Sequence, residues 1–458
     1  MGDDHPSRVV IIGGGVAGLA AAGRLQQAGI DAVVVEGRNR LGGRIHTIDV
    51  DGSDTAWVDM GAAWIDDHKT NRAYHLLAAV GAGVEPTWPG LTNVRIYDER
   101  TGRWLGRVRT LLAMGRLGWR SHRLATPTSG FTDLGERIDT ALGDAPRRED
   151  EYLLKATTEL LDGGPVGHTH PNAFSDGPWE YLRYEEKTSV MVTGGYRHLV
   201  DVLADPLDQE RIFLEHEVTA IRCGDPTDRT PAVAVETSGG ATFEGSHAIV
   251  TVPIGVLKAD AITFDPPLPD AKQGAIDRMG VGQVEKIALS FPNPFWRRKP
   301  SRSLHFVSVP DPITPRSVFI DVSDTAGASP GAPSAACLVA ICAAQPAVQA
   351  ARDPGTAIQV TLATLRRMFP GTYQSPRATA VSAWSTDPFS QGVYSYPTPR
   401  TAPGDYRLLG EPCHNGRLLF AGDSCTDGTY LSSVEGAITS GERAADTVIG
   451  QTRPSSGG

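Results

Sequence analysis

Gly13, Gly15 and Gly18 follow the apolar run Val9-Val10-Ile11-Ile12 with the types and spacing that seat a dinucleotide. Gly13 allows a tight turn out of a buried strand. Gly15 lacks a Cβ, so backbone can come close to a pyrophosphate, and Gly18 lets the next helix pack against the strand. That helix is expected from about Val16 to Ala28, with Ala17 in its first turn. Its N-terminal N–H groups and partial positive charge would face the phosphates. A second strand, Asp31-Ala32-Val33-Val34-Val35, ends at Glu36. Glu36 lies close to the ~20 residues past the last glycine at which a carboxylate meets a ribose 2′-OH. An acid there repels a 2′-phosphate, which disfavours NADP.

Other residue groups hold chemistry with more than one outcome. Glu36-Gly37-Arg38-Asn39-Arg40-Leu41-Gly42-Gly43-Arg44 suits either a second phosphate contact or a basic surface loop with a Gly-Gly turn. Lys286 stands among Ile287, Leu289 and Phe291, ahead of Pro294-Phe295-Trp296. It is either a hydrogen-bonded buried lysine or a solvent-facing one on an edge strand. Asp66-Asp67, after Trp64-Ile65, is either a carboxylate aimed at a cation or a solvated turn before His68. His168 and His170 lack nearby acids or further histidines, so a loop is expected there and no metal site.

These stretches resemble the flavin amine oxidase superfamily, which holds monoamine oxidases, polyamine oxidases, L-amino-acid oxidases and histone lysine demethylases. Glu36 to Arg44 resembles its E-x-R-x-R-x-G-G-R segment. Asp59-Met60-Gly61-Ala62-Ala63-Trp64-Ile65 resembles the G-A-x-W-I/V stretch that lies along the isoalloxazine ring. Met191 to Tyr196 and Leu214 to Val218 resemble the segments returning to the FAD domain, with Val218 meeting the adenine end through its backbone. Val284 to Trp296 is similar to the strand carrying the family's active-site lysine. Trp384-Ser385-Thr386-Asp387-Pro388-Phe389-Ser390-Gln391-Gly392-Val393-Tyr394-Ser395-Tyr396 resembles the W-x-x-D-P-x-x-x-G-x-Y-S-Y stretch of polyamine oxidases and histone demethylases. Leu418-Leu419-Phe420-Ala421-Gly422-Asp423, with Glu435-Gly436-Ala437, resembles the second flavin-contacting segment.

The resemblance implies an FAD-dependent amine oxidase, nearest the polyamine oxidase branch. Hydride passes from the carbon beside nitrogen to flavin N5, the imine hydrolyses, and O2 becomes H2O2. FAD is expected to be non-covalent, because Val393 matches the position of the cysteine that bonds FAD in monoamine oxidases. The resemblance assigns Lys286 to hold a water bridged to N5, Trp384 to pack near the flavin and Tyr394 to stand over the substrate cavity. Asp66 would bind a distal ammonium or help deprotonate the amine. Gly422 and Asp423 would meet the ribityl or phosphate region, and Val434 the pyrimidine edge. Ser433 falls where monoamine oxidases place a second aromatic ring. The rival readings are an L-amino-acid oxidase, which needs a cavity arginine, a flavin-dependent desaturase or dehydrogenase, and a non-catalytic flavoprotein. A histone demethylase is disfavoured, because 458 residues leave little space for that branch's chromatin-binding domains.

The expected fold is α/β. A glutathione-reductase-type FAD-binding Rossmann-like domain is built from 1–82, 192–273 and 400–452. An α+β substrate domain, a mixed sheet flanked by helices, takes 83–191 and 274–399, and 453–458 is a disordered tail. Residues 104–165 carry helical spacing of Leu and Met, and 223–231 and 325–334 read as loops, the latter on the surface. Residues 248–254 read as a buried strand ending at Pro253. The chain has 40% hydrophobic and 21% charged residues, an ordinary globular balance. No apolar run reaches ~18 residues, so no membrane span is expected. The first strand begins too early to leave room for a signal peptide, and five scattered cysteines without a CxxC suggest reduced thiols in a cytoplasm. A net charge of −10 argues against nucleic acid as a partner and attracts cationic substrates weakly. The expected partners are a small-molecule amine and O2, with a homodimer left open.

Overall fold

A computed structural model describes residues 8–66, 69–86, 94–173, 189–224, 232–297, 305–310, 318–426 and 430–452. Two sheets position the site. The first is parallel, with the strands Ile212–Phe213, Ala32–Val35, Val9–Ile12, His247–Val250 and Leu418–Phe420 side by side in that order. The Val9–Ile12 and Leu418–Phe420 strands are apolar and buried throughout, as expected when helices cover both faces of a parallel sheet. Helix Val16–Gln27 leaves the first strand, and helix Val434–Thr452 packs on it. The approach is so close that a Cβ on Gly441 would lie 2.2 Å from the Ala17 carbonyl oxygen.

The second sheet is mixed and has seven strands, in the order Ala378–Val381, Val284–Phe291, Ala336–Ala343, Val318–Asp321, His305–Val309, Val94–Asp98 and Arg103–Trp104. Its aromatic core gathers Phe291, Trp296, Phe306 and Phe319. Helices Arg107–Leu124, Leu134–Leu142 and Arg148–Asp162 supply the spacing read in 104–165. A parallel dinucleotide-type sheet beside a mixed sheet with helices is the architecture expected from the sequence.

Local expectations needed correction. The first helix stops at Gln27 and the second strand starts at Ala32. The strand expected to run to Pro253 ends at Val250, and Pro253 instead precedes the short helix Ile254–Lys258. Its fixed φ suits a helix start and gives the ladder no N–H. The stretch 325–334 is not wholly a surface loop. Thr325, Ala326 and Gly327 are buried because Ala326 accepts a backbone bond from Trp57 N and Thr325 one from Gly194 N. The 223–231 loop lies mostly outside the described residues, as do Asp67 and His68.

Candidate active site

The glycine turn is built as its spacing demands. Gly13 has φ +109° and donates its N–H to Val35 O. A Cβ on Gly18 would sit 2.0 Å from Gly13 O, so Gly18 is what lets the helix close on the strand. Gly15 differs: an added Cβ would meet only Gly43 Cα, at 4.0 Å. The open side of Gly15 is where a pyrophosphate can come close to the backbone. Helix Val16–Gln27 begins there with no capping side chain and no acid in its first turn, so its N–H dipoles face the cavity uncompensated. Glu36 is 6% exposed, and its carboxylate accepts from Gly14 N at 2.6 Å and Arg38 N at 2.8 Å. Ala17 and Val218, the first residue of strand Val218–Cys223, complete this end.

Two arginines tie the turn to distant segments. Arg38 pairs with Asp387 and lies over the Phe389 ring at 5.4 Å. Arg44 pairs with Asp423 and donates to Val393 O, so residues 44, 393 and 423 meet at one point. Gly43, at φ +56°, backs onto Gly15. Gly422, at φ +138°, is held by Ser440, whose Oγ accepts from Gly422 N at 2.9 Å. A Cβ on Gly61 would strike Arg44 O at 1.8 Å, so the Gly61-Ala62 backbone is pressed against the arginine loop.

Lys286 is not an edge-strand surface residue. Its strand is paired on both sides and all eight residues are buried. Nζ donates to Asp59 O at 2.9 Å and Gly61 O at 2.7 Å, and lies 4.9 Å from the Trp64 ring centroid. Burial lowers its pKa to about 8 and raises that of neighbouring Asp59 to about 6. Lys272 offers a contrast. Its Nζ donates to three carbonyls, Leu408, Leu409 and Glu411, and is spent on structure. As an ammonium, Lys286 keeps one N–H without a partner among the described residues.

Trp384 donates Nε1–H to Met60 O at 2.8 Å, which sets its ring against Gly61. Tyr394 offers only its ring, because its hydroxyl donates to Leu160 O at 2.7 Å. Asp66 accepts from the Ser189 hydroxyl. Ser433 lines the cavity and serves the backbone there as well. Its hydroxyl donates to Tyr430 O and accepts from Gly436 N at 3.0 Å, capping the helix that starts at Val434. His170 Nδ1 accepts from Asn172 N, and no group of three or more metal-binding side chains occurs among the described residues.

Sequence reading passed over Glu285. It is wholly buried and accepts from Ser382 Oγ and from Ser385 N at 2.7 Å, anchoring the loop that carries Trp384. The signal was available: two adjacent charges in an apolar strand must face opposite ways, so each needs its own partners.

Every expected site residue except Gly18 lines one cavity of about 1740 Å³. It runs from the open helix N-terminus and Glu36, past Arg44, to Lys286, Trp384, Tyr394 and Asp66. A glycine turn with room over Gly15, an uncapped helix end and a ribose-type acid fit a dinucleotide. The aromatic, lysine-bearing far end fits a redox ring system, so fold and site together define a dinucleotide-dependent oxidoreductase. The family model for flavin containing amine oxidoreductases matches residues 16–449, and the chain belongs to that family. It is an amine oxidoreductase that uses a flavin. It is 29% identical to a probable polyamine oxidase 4 of Arabidopsis thaliana, over 95% of this chain and 86% of the relative. It is also 29% identical to a lysine-specific histone demethylase 1 homolog 2 of Oryza sativa subsp. japonica, over 97% of this chain but 58% of that one. A wild-type putrescine oxidase bound to putrescine shares the fold, with TM-score 0.76, 21% identity and coverage of 97% and 99% of the two chains.

Proposed function

We propose that the protein oxidises a polyamine or a related primary or secondary amine, with O2 as acceptor and FAD held without a covalent bond. The observation carrying this reading is the single cavity that joins the glycine turn to Lys286, Trp384 and Tyr394. Gly13, Gly15, Glu36, Arg44 and Asp423 would hold FAD, which when bound supplies the acceptor for the two electrons and the hydrogen lost by the carbon beside nitrogen. The protein's own part is positioning and proton handling. The Trp384 and Tyr394 rings wall the substrate end, hold the alkyl chain by contact and exclude water. Lys286 presents its remaining N–H to that end, where it can hold a water and exchange a proton with it.

Relatives named polyamine oxidase support the substrate class. An L-amino-acid oxidase would need an arginine for the carboxylate. Among the described residues the cavity arginines are Arg38, Arg44 and Arg407; the first two are paired to Asp387 and Asp423, and the third is a mostly exposed partner of Glu411. Anaerobic bleaching of the visible flavin band by putrescine, spermidine, spermine, benzylamine and several L-amino acids tests this reading. Polyamines should bleach it, with peroxide formed on admitting air; bleaching by amino acids alone would move the protein to the rival class.

Two further results are expected. Acid precipitation should leave a colourless pellet and a yellow supernatant, since Val393 has no thiol to bond a flavin; a yellow pellet would contradict non-covalent binding. Asp66→Asn should raise KM for diamines several-fold more than for monoamines. An equal rise would reduce Asp66 to an acceptor for Ser189.

A further inference from the structure

Helix Arg148–Asp162 ends in the cavity wall, and its last residue is an acid without a partner. Asp162 is 9% exposed, Oδ2 is fully buried, and neither carboxylate oxygen has a hydrogen bond or ion pair among the described residues. Burial alone raises its pKa, to about 7. Other buried acids hold at least one partner: Asp150 has Arg116 and Arg120, Glu285 has Ser382 and Ser385, Asp321 has Arg297, and Glu159, though its Oε2 is unpaired, accepts from Val166 N. A carboxylate buried without a partner is costly, and the cost is relieved by a cation arriving from the cavity. The surroundings favour a cation too. The C-terminal end of a fifteen-residue helix carries partial negative charge. Tyr394 stands beside the acid: its hydroxyl is bonded to Leu160, two residues before Asp162, and the Asp162 charge helps push its phenol up.

We propose that Asp162 is a specificity-determining residue, a second cavity anion besides Asp66, which receives a non-reacting ammonium of the substrate while the reacting nitrogen lies at the Lys286 and Trp384 end of the same cavity. The inference rests on the polyamine reading above and deepens it. Asp162 then selects amines with two cationic nitrogens over monoamines of equal length and takes no part in bond breaking.

The test compares putrescine and spermidine with butylamine, in the flavin-loaded enzyme and in Asp162→Asn and Asp162→Ser. Far-ultraviolet circular dichroism and flavin content verify folding, and either folded variant suffices. The expected result is a KM raised ~10-fold or more for the diamine and triamine and changed less than ~2-fold for butylamine, with kcat for each amine within about 3-fold of the parent. Parallel changes for all three amines, or a preference that survives both substitutions, would overturn the role of Asp162 and leave the polyamine reading standing. A parent enzyme that takes butylamine as readily as putrescine would overturn the role of Asp162 and leave the amine oxidase reading standing, which fails instead if no amine bleaches the flavin. Asp162→Glu, which keeps the charge, should retain the preference.

Discussion

Lys286→Met should slow flavin reduction by amine, or reoxidation by oxygen, by ~100-fold or more. The side chain keeps similar length and apolar bulk, so the change removes an ammonium and little volume. It leaves Asp59 O and Gly61 O without their donor, at a stability cost of about 1–3 kcal/mol. Slower chemistry from a loosened Gly61 segment must therefore be separated from loss of the proton-handling group, and the pH profile does this. With its pKa lowered to about 8 by burial, Lys286 is an ammonium below that pH and a free amine above it. A rate that depends on the free amine rises through about pH 8 at saturating substrate, and in the methionine variant that rise disappears. Lys272→Met is the control. It strips three carbonyls of their donor and should lower stability at least as much, yet leave the pH profile intact. Stopped-flow absorbance under nitrogen, then under oxygen, reads both steps. Unchanged kinetics in Lys286→Met would remove the residue from the mechanism.

The second large effect is a contrast between neighbouring glycines. Gly18→Ala drives a methyl to 2.0 Å from Gly13 O, a backbone atom that cannot step aside, and should cost at least about 3 kcal/mol of folding stability along with the flavin. Gly15→Ala has room, with its nearest neighbour 4.0 Å away. The flavin-free protein should melt at nearly the parent temperature, while FAD affinity falls by up to ~100-fold, since overpacking against the pyrophosphate costs about 1–3 kcal/mol. Thermal melts with and without added FAD give both quantities. Equal FAD affinity in Gly15→Ala and the parent would show that the space over Gly15 belongs to no ligand.

The parts of the molecule legible in the sequence are those written in short spacings. Gly13, Gly15, Gly18 and Glu36 act through neighbours within one strand–helix–strand unit, and the structure places them as read. Lys286 was legible only through resemblance, because the strand alone is compatible with either face turned to water. Its burial depends on pairing with both Ala336–Ala343 and Ala378–Val381, which no local pattern announces. Asp162 was hidden for a similar reason. In the sequence it ends an ordinary amphipathic helix; its isolation comes from packing beside Tyr394. Ser433 carries a second task that sequence reading did not name. A serine just ahead of a helix caps it, a local rule that holds here alongside its place in the cavity wall.

The contact between Gly441 and Ala17 joins two parts of the nucleotide cradle that lie far apart along the chain. The glycine turn and first helix come before the strands of the mixed sheet, whereas the fifth parallel strand, Asp423 and the helix that seals against Ala17 come after them. The first strand–helix–strand unit by itself therefore carries only half of a nucleotide cradle. Closing the cradle on a flavin thus depends on pairing between residues far apart in sequence, the kind of contact that forms slowly during folding.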